Sequence, residues 1–226
     1  MCGITGSVWT DNSRLISRNQ LERMTTSLSH RGPDEVGDYY LEQDATKVSP
    51  AVALGFRRLS IIDLTTGHQP IANEEESIWL VFNGEIYNYR ELKAELLADG
   101  HQFRTSSDSE VIVHLYEKYG TEMFQHLNGM FSLAIWDNRE KQLVLGRDRL
   151  GQKPLYYSNQ SDRLLFASEL KSLIASGEVE QTIDEVTVES SAEVLPMQVA
   201  GSEEFGEDTR LRYRFIDLRR DQMQKN

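Results

Sequence analysis

The sequence predicts an α+β fold built from largely antiparallel sheets with a few helices layered against them. Three observations carry the prediction. Short runs rich in β-branched and aromatic residues recur along the chain, bounded by Gly, Asn and Asp. Several of these runs are joined by turns too short for a crossover helix. Few stretches have the helical period, so a regular βαβ alternation is absent.

The elements follow in order. Residues 2–9 (CGITGSVW) read as a strand. In 18–30, Leu21, Met24, Thr25 and Leu28 fall at i, i+3, i+4 and i+7, which predicts an amphipathic helix. His30-Arg31-Gly32-Pro33-Asp34 breaks it and predicts a loop, because Pro33 cannot donate a backbone hydrogen bond. Residues 37–41, 51–56 and 78–82 read as strands. A helix is predicted from Asn88, with Glu91 in the capping-box position, to just before Gly100. Another follows Ser107, with Glu110 three residues on, a buried stripe of Val111, Ile112, Leu115 and Tyr119, and Gly120 at its end. Residues 130–136 and 142–147 form a predicted hairpin through Asp137-Asn138-Arg139-Glu140. Residues 155–157 and 164–168 extend the strand series, and a short helix covers 169–175. Trp9, Trp79 and Trp136 lie in apolar runs and are assigned to the core.

Composition narrows the function. With 226 residues, 39% hydrophobic and 27% charged, the chain can build a core. A net charge of −12, from 36 acidic and 24 basic residues, disfavours general nucleic-acid binding. The single cysteine excludes an internal disulfide and a four-cysteine zinc site. No apolar window reaches the roughly 20 residues that span a bilayer, and the N-terminus lacks a basic n-region, so a cytoplasmic location is expected. There is no Gly-rich phosphate loop. The five histidines (His30, His68, His101, His114 and His126) lack a metal-ligand spacing such as HExxH, so solvated or packing roles are expected and no metal is assigned.

The lone cysteine is residue 2. Removal of Met1, which a small second residue permits, leaves Cys2 with a free α-amine. A thiol near pKa 8.5 and an α-amine near 7.7–8.0 both work close to neutral pH, so one residue supplies nucleophile and base. The bland alternative is a small buried hydrophobe.

The order of motifs favours the first reading. Met1-Cys2-Gly3-Ile4, Arg31-Gly32-Pro33-Asp34, Arg58-Leu59-Ser60-Ile61-Ile62-Asp63, Asn83-Gly84-Glu85-Ile86-Tyr87-Asn88 and Ser107-Asp108-Ser109-Glu110 occur in sequence. Leu127–Phe131, Arg147–Tyr157 and Ala167–Lys171 continue the series. Together they resemble the glutaminase domain of class II glutamine amidotransferases, nearest to glutamine-hydrolysing asparagine synthetases, across about residues 2–185. The resemblance implies a four-layer αββα N-terminal nucleophile hydrolase sandwich with two mostly antiparallel sheets. It implies hydrolysis of L-glutamine to glutamate and ammonia through a γ-glutamyl thioester on Cys2. It assigns the oxyanion to the Asn83 side chain and the Gly84 N–H. Arg58, helped by backbone groups of Ile61 and Ile62, takes the substrate α-carboxylate, and Glu85 and Asp108 take the α-ammonium. No cofactor is implied for this domain. Taken alone, Asn83-Gly84 reads as a hairpin turn, Arg58 beside Arg57 as a solvated charge pair, Glu85 as a surface acid, and Asp108 as a helix-start residue.

Asparagine synthetases continue into a domain that adenylates aspartate with ATP and Mg, and its SGGxDS-type loop does not occur in this sequence. The expected activity is therefore ammonia release, with a separate synthetase subunit or a homo-oligomer as the open partner choices. The alternative is a weak or inactive glutamine-binding module left by truncation or fusion. Residues 186–226 depart from the pattern and resemble a fragment of aspartyl-tRNA synthetase, including Arg210-Leu211-Arg212-Tyr213-Arg214-Phe215. This tail is expected to be loose and exposed rather than an independent domain, with its arginines on a solvated strand.

Overall fold

The computed structural model describes residues 1–42, 50–60 and 67–179, together with the backbone of Arg212–Asp217. β1 (Gly3–Trp9), β2 (Glu35–Leu41), β3 (Ala51–Arg58), β8 (Tyr156–Gln160) and β9 (Arg163–Ala167) form one sheet in the order β2-β3-β1-β9-β8. β4 (Ile71–Ala72), β5 (Ile78–Ile86), β6 (Gly129–Asp137), β7 (Gln142–Arg147) and β10 (Arg212–Asp217) form the second, in the order β10-β7-β6-β5-β4. All pairings are antiparallel except that of β10 with β7. The strand-like tail segment thus sits against a sheet edge, where a loose tail was expected. The rest of the tail lies outside the described residues.

Strand alternation explains the layering. On β1, Ile4 and Val8 point to one face, and on β3 Val52, Leu54 and Phe56 do the same. They meet Val81 of β5, Ala134 and Trp136 of β6, and Leu143 and Leu145 of β7, closing a core between the two sheets. The opposite faces are covered by helices. Trp9, Ala51, Ala53 and Leu165 pack under α1 (Arg18–Ser27) and α4 (Leu170–Ala175) through Leu21, Met24 and Leu173. Ile78, Leu80, Phe82, Leu133 and Ile135 pack under α2 (Tyr89–Ala98) and α3 (Glu110–Tyr119). The order of layers is helix, sheet, sheet, helix. Each large aliphatic or aromatic side chain fully buried here contributes about 1.5–3 kcal/mol. No helix among the described residues is long and apolar enough to cross a membrane.

The helix ends differ from expectation in informative ways. α1 starts with a complete capping box between Ser17 and Gln20. The box expected at Asn88 and Glu91 does not form. Asn88 instead accepts from Asn128 N–H at 3.0 Å and donates to the His126 carbonyl at 2.9 Å, which ties the helix start to the approach to β6. α3 starts after Ser109 rather than Ser107. Glu110 is turned to the preceding loop, where it accepts from Arg104 N, Thr105 N and Thr105 Oγ1. Gly120 closes α3 with a left-handed φ of 54°, a conformation glycine adopts without strain. Trp9 and Trp136 are core, whereas Trp79 is half-buried and stacks on Tyr39 with centroids 4.1 Å apart.

Candidate active site

The candidate site lies where the interlayer core opens at one end of the strands. Parity places its residues there. Cys2 precedes β1 by one residue and shares the face of Ile4, beside the interlayer core. In the β1–β3 register Gly3 pairs with Arg57, which puts Cys2 and Arg58 one step further along that ladder. Asn83 and Glu85 fall on the same face of β5 as Val81, two and four residues beyond it. Asp108 arrives from the loop before α3. Cys2, Arg58, Asn83, Gly84, Glu85 and Asp108 line one pocket, together with Met1, Gln69 and Lys153.

The nucleophile candidate is held by its backbone as well as its sulfur. Leu59 N–H points to Cys2 Sγ at 3.4 Å, and the thiol lies 3.7 Å from the Leu59 carbonyl. Arg31 donates from Nε to the Cys2 carbonyl at 2.9 Å and from Nη1 to Glu169 at 2.9 Å. The Arg31–Asp34 motif, predicted as a loop, therefore acts as a buttress under Cys2. Its Gly32 packs so tightly that a Cβ would overlap the Arg57 carbonyl. Asp34 accepts from Ser60 N–H at 2.8 Å, fixing the end of β3. Burial raises the Cys2 pKa, partly offset by the Leu59 N–H, the N-terminal charge and the guanidinium groups of Arg58 and Arg31. Met1 covers the α-nitrogen of Cys2, and its sulfur is 3.2 Å from Lys153 Nζ.

Arg58 is only 5% exposed, so it is no solvated charge pair. Its Nη1 donates to Glu35 at 2.9 Å, and His68 hydrogen-bonds the other oxygen of that carboxylate. Burial would raise the Glu35 pKa, but the bonds from Arg58 and His68 outweigh it and lower the value. Asn83-Gly84 lies in mid-strand and not in a turn, because β5 runs through to Ile86. The Asn83 side chain is buried, and its amide nitrogen makes one long contact, 3.4 Å from Ser132 Oγ. At Gly84 a Cβ would overlap the Met130 carbonyl oxygen, so the close approach of β5 and β6 requires glycine. Asp108 accepts from Ile86 N–H at 2.9 Å, which pins the acid to the end of β5. Its pKa is raised by burial first and by the neighbouring Glu85 charge as well. Such a carboxylate is stabilised by an arriving cation. Ile61 and Ile62 lie outside the described residues. The Arg147–Tyr157 stretch forms a scaffold in which Asp148 accepts from the N–H groups of Phe131, Leu150, Gln152 and Lys153.

Residues 1–205 match the glutamine amidotransferase domain family. The chain belongs to that family. The match reaches into the segment past residue 185. Asparagine synthetase (glutamine-hydrolysing) 2 of Bacillus subtilis (strain 168) is 45% identical to this amidotransferase chain over 177 residues, 77% of this chain and 22% of that protein. Asparagine synthetase 3 of the same organism is 35% identical over 209 residues, 89% of this chain and 32% of that protein. The amidotransferase chain therefore spans about a fifth to a third of these relatives. The fold is shared with the glutamine phosphoribosylpyrophosphate amidotransferase of B. subtilis complexed with ADP and GMP. That structure superposes with a TM-score of 0.60 at 23% identity, over 78% of this chain and 44% of that one. A structure described as the allosteric regulatory enzyme of purine biosynthesis gives 0.61 at 22% identity, over 78% and 43%. The layered αββα architecture is the fold that the chain shares with these two structures.

The sequence motifs did not reveal one further cluster in this chain. Glu74, His101, His114 and Glu117 come from three segments, and none of them is among the residues that line the pocket. Only the i, i+3 spacing of His114 and Glu117 on α3 was readable beforehand.

Proposed function

We propose that the chain hydrolyses L-glutamine to glutamate and ammonia, with Cys2 as nucleophile once Met1 is removed. The observation that carries the reading is the parity-driven convergence of Cys2, Arg58, Asn83 and Glu85 on one pocket face. The substrate α-carboxylate pairs with Arg58, whose planar guanidinium matches a carboxylate in charge and geometry. The α-ammonium sits between Glu85 and Asp108, relieving the repulsion between them. This leaves the side-chain carboxamide over Cys2. The α-amine of Cys2 takes the thiol proton, and Sγ attacks the amide carbon. The oxyanion that forms is held by the Asn83 amide and the Gly84 N–H, two neutral directional donors in a water-poor site. Ammonia leaves with the proton returned from the amine. Water activated by the same amine then cleaves the thioester, releasing glutamate and restoring the thiol. The ammonia is destined for an asparagine-forming acceptor, because the relatives named above are asparagine synthetases.

Purified chain shown by mass to lack Met1, incubated with L-glutamine, is expected to release glutamate, and Cys2→Ala to release none. Diazo-oxo-norleucine is expected to add one equivalent, at Cys2 only. No glutamate release from a verified Met1-free sample would overturn the reading. If calorimetry showed that such a sample still bound glutamine, the chain would be a glutamine-binding module.

A further inference from the structure

We infer that Glu74, His101, His114 and Glu117 form a structural zinc site unrelated to the glutamine pocket. Four ligand atoms, one from each side chain, lie within 4.8 Å of one another. His101 Nδ1 is 3.6 Å from Glu117 Oε2, while His114 Nδ1 is 3.7 Å from Glu74 Oε2 and 3.9 Å from Glu117 Oε2. A tetrahedral zinc with bonds of about 2.0–2.1 Å sets its ligands about 3.4 Å apart. These three edges need to contract by a few tenths of an ångström, and the remaining pairs, all within 4.8 Å, by at most about 1.4 Å. An octahedral ion with bonds of the same length spaces adjacent ligands about 3.0 Å apart, a poorer match to these distances. Two imidazoles and two carboxylates suit zinc chemically, and the carboxylates neutralise its charge.

The second observation is His114 itself. Its side chain is 1% exposed, yet neither ring nitrogen makes a hydrogen bond. A buried imidazole left in this state is costly unless something else occupies the space it faces. Nδ1 points into the cluster. Nε2 faces Glu110 Oε1 at 3.8 Å, the arrangement in which a carboxylate orients a metal-bound histidine from behind.

The outer oxygens of the two carboxylates are tethered elsewhere. Glu74 Oε1 accepts from Gln102 N–H at 2.9 Å, and Glu117 Oε1 accepts from Asn73 Nδ2 at 3.1 Å, with Arg139 3.9 Å away. Both Oε2 atoms are thereby directed at His114. With all four positions supplied by protein, the site has no open coordination and its role is structural. It staples the turn before β5 and the loop after α2 to the middle of α3, the helix that follows Asp108.

The test uses the full chain carrying Cys2→Ser, so that the thiol does not compete. After EDTA treatment and dialysis, zinc is titrated against a chromophoric chelator while thermal stability is followed. One equivalent is expected to bind, and the rise in Tm is expected to saturate at that ratio. Cobalt(II) in place of zinc is expected to give the intense visible bands of a tetrahedral ion. Glu74→Gln keeps the Oε1 acceptor for Gln102, and His101 is half-buried, so Glu74→Gln and His101→Asn are suited to retain the fold. Each is expected to weaken zinc binding at least about tenfold. His114→Gln is expected to abolish it. Failure to take up zinc at one equivalent, or unchanged affinity in folded Glu74→Gln and His101→Asn, would overturn the proposal. So would stabilisation that follows acidification but not zinc, since a proton on His114 would then fill the role.

Discussion

Asn83→Ala is expected to separate catalysis from folding. The Asn83 amide nitrogen is buried on the pocket side of β5, and its one hydrogen bond is the long contact to Ser132 Oγ at 3.4 Å. Losing that contact costs about 1 kcal/mol, a fall in Tm of roughly 2–4 °C for a chain of this size. The catalytic loss is much larger if the amide faces the oxyanion. One such donor is worth about 3–4 kcal/mol, a drop in kcat of about a hundred- to a thousandfold. The oxyanion does not exist in the bound substrate, so KM is expected to hold. Glutamate release by the Met1-free protein, coupled to glutamate dehydrogenase, reads both constants, and a thermal melt reads stability. A folded variant with kcat within about threefold of the parent, or a loss carried wholly by KM, would refute the oxyanion assignment.

The other predictions concern the pocket and its supports. Asp108→Asn keeps an oxygen to accept from Ile86 N–H but removes a buried charge whose pKa is raised by burial and by Glu85. A carboxylate with a raised folded pKa binds more protons when folded, so its cost to stability grows as pH rises through the unfolded value towards the folded one. The variant is therefore expected to melt higher than the parent at pH 7 and to bind glutamine about ten- to a hundredfold more weakly by calorimetry. Gly84→Ala forces a methyl against the Met130 carbonyl and is expected to cost about 1–3 kcal/mol in urea unfolding while depressing turnover, because β5 must move away from β6. Burial works to raise the Glu169 pKa, but its bonds to Arg31, His30 and Lys171 overcome this and hold it at about 2. Its contribution to stability is fully present above an unfolded value near 4.3 and is lost as pH falls through about 2. Glu169→Gln is expected to cost about 1 kcal/mol at pH 7 after screening, and parent and variant urea curves are expected to converge as the pH approaches 2.

Local chemistry made much of this protein legible before any tertiary contact was known. Strand and helix periods depend on residues a few positions apart, so β1, the β6–β7 hairpin and α4 follow from the sequence within a residue or two, and α1 within three at its C-terminal end. The Cys2 reading also came from sequence, since position in the chain alone decides whether a thiol can sit beside a free amine. Tertiary structure decided what spacing along the chain cannot encode. It ran β5 through Asn83-Gly84, where local rules favour a turn, because pairing with β6 outweighs turn propensity over nine residues. It turned Arg31 from a loop residue into a support for the Cys2 carbonyl, a contact spanning 29 positions. It also drew Glu74, His101, His114 and Glu117 together from three segments. Burial and through-space charge depend on which faces meet, and only the packing of the four layers fixes that.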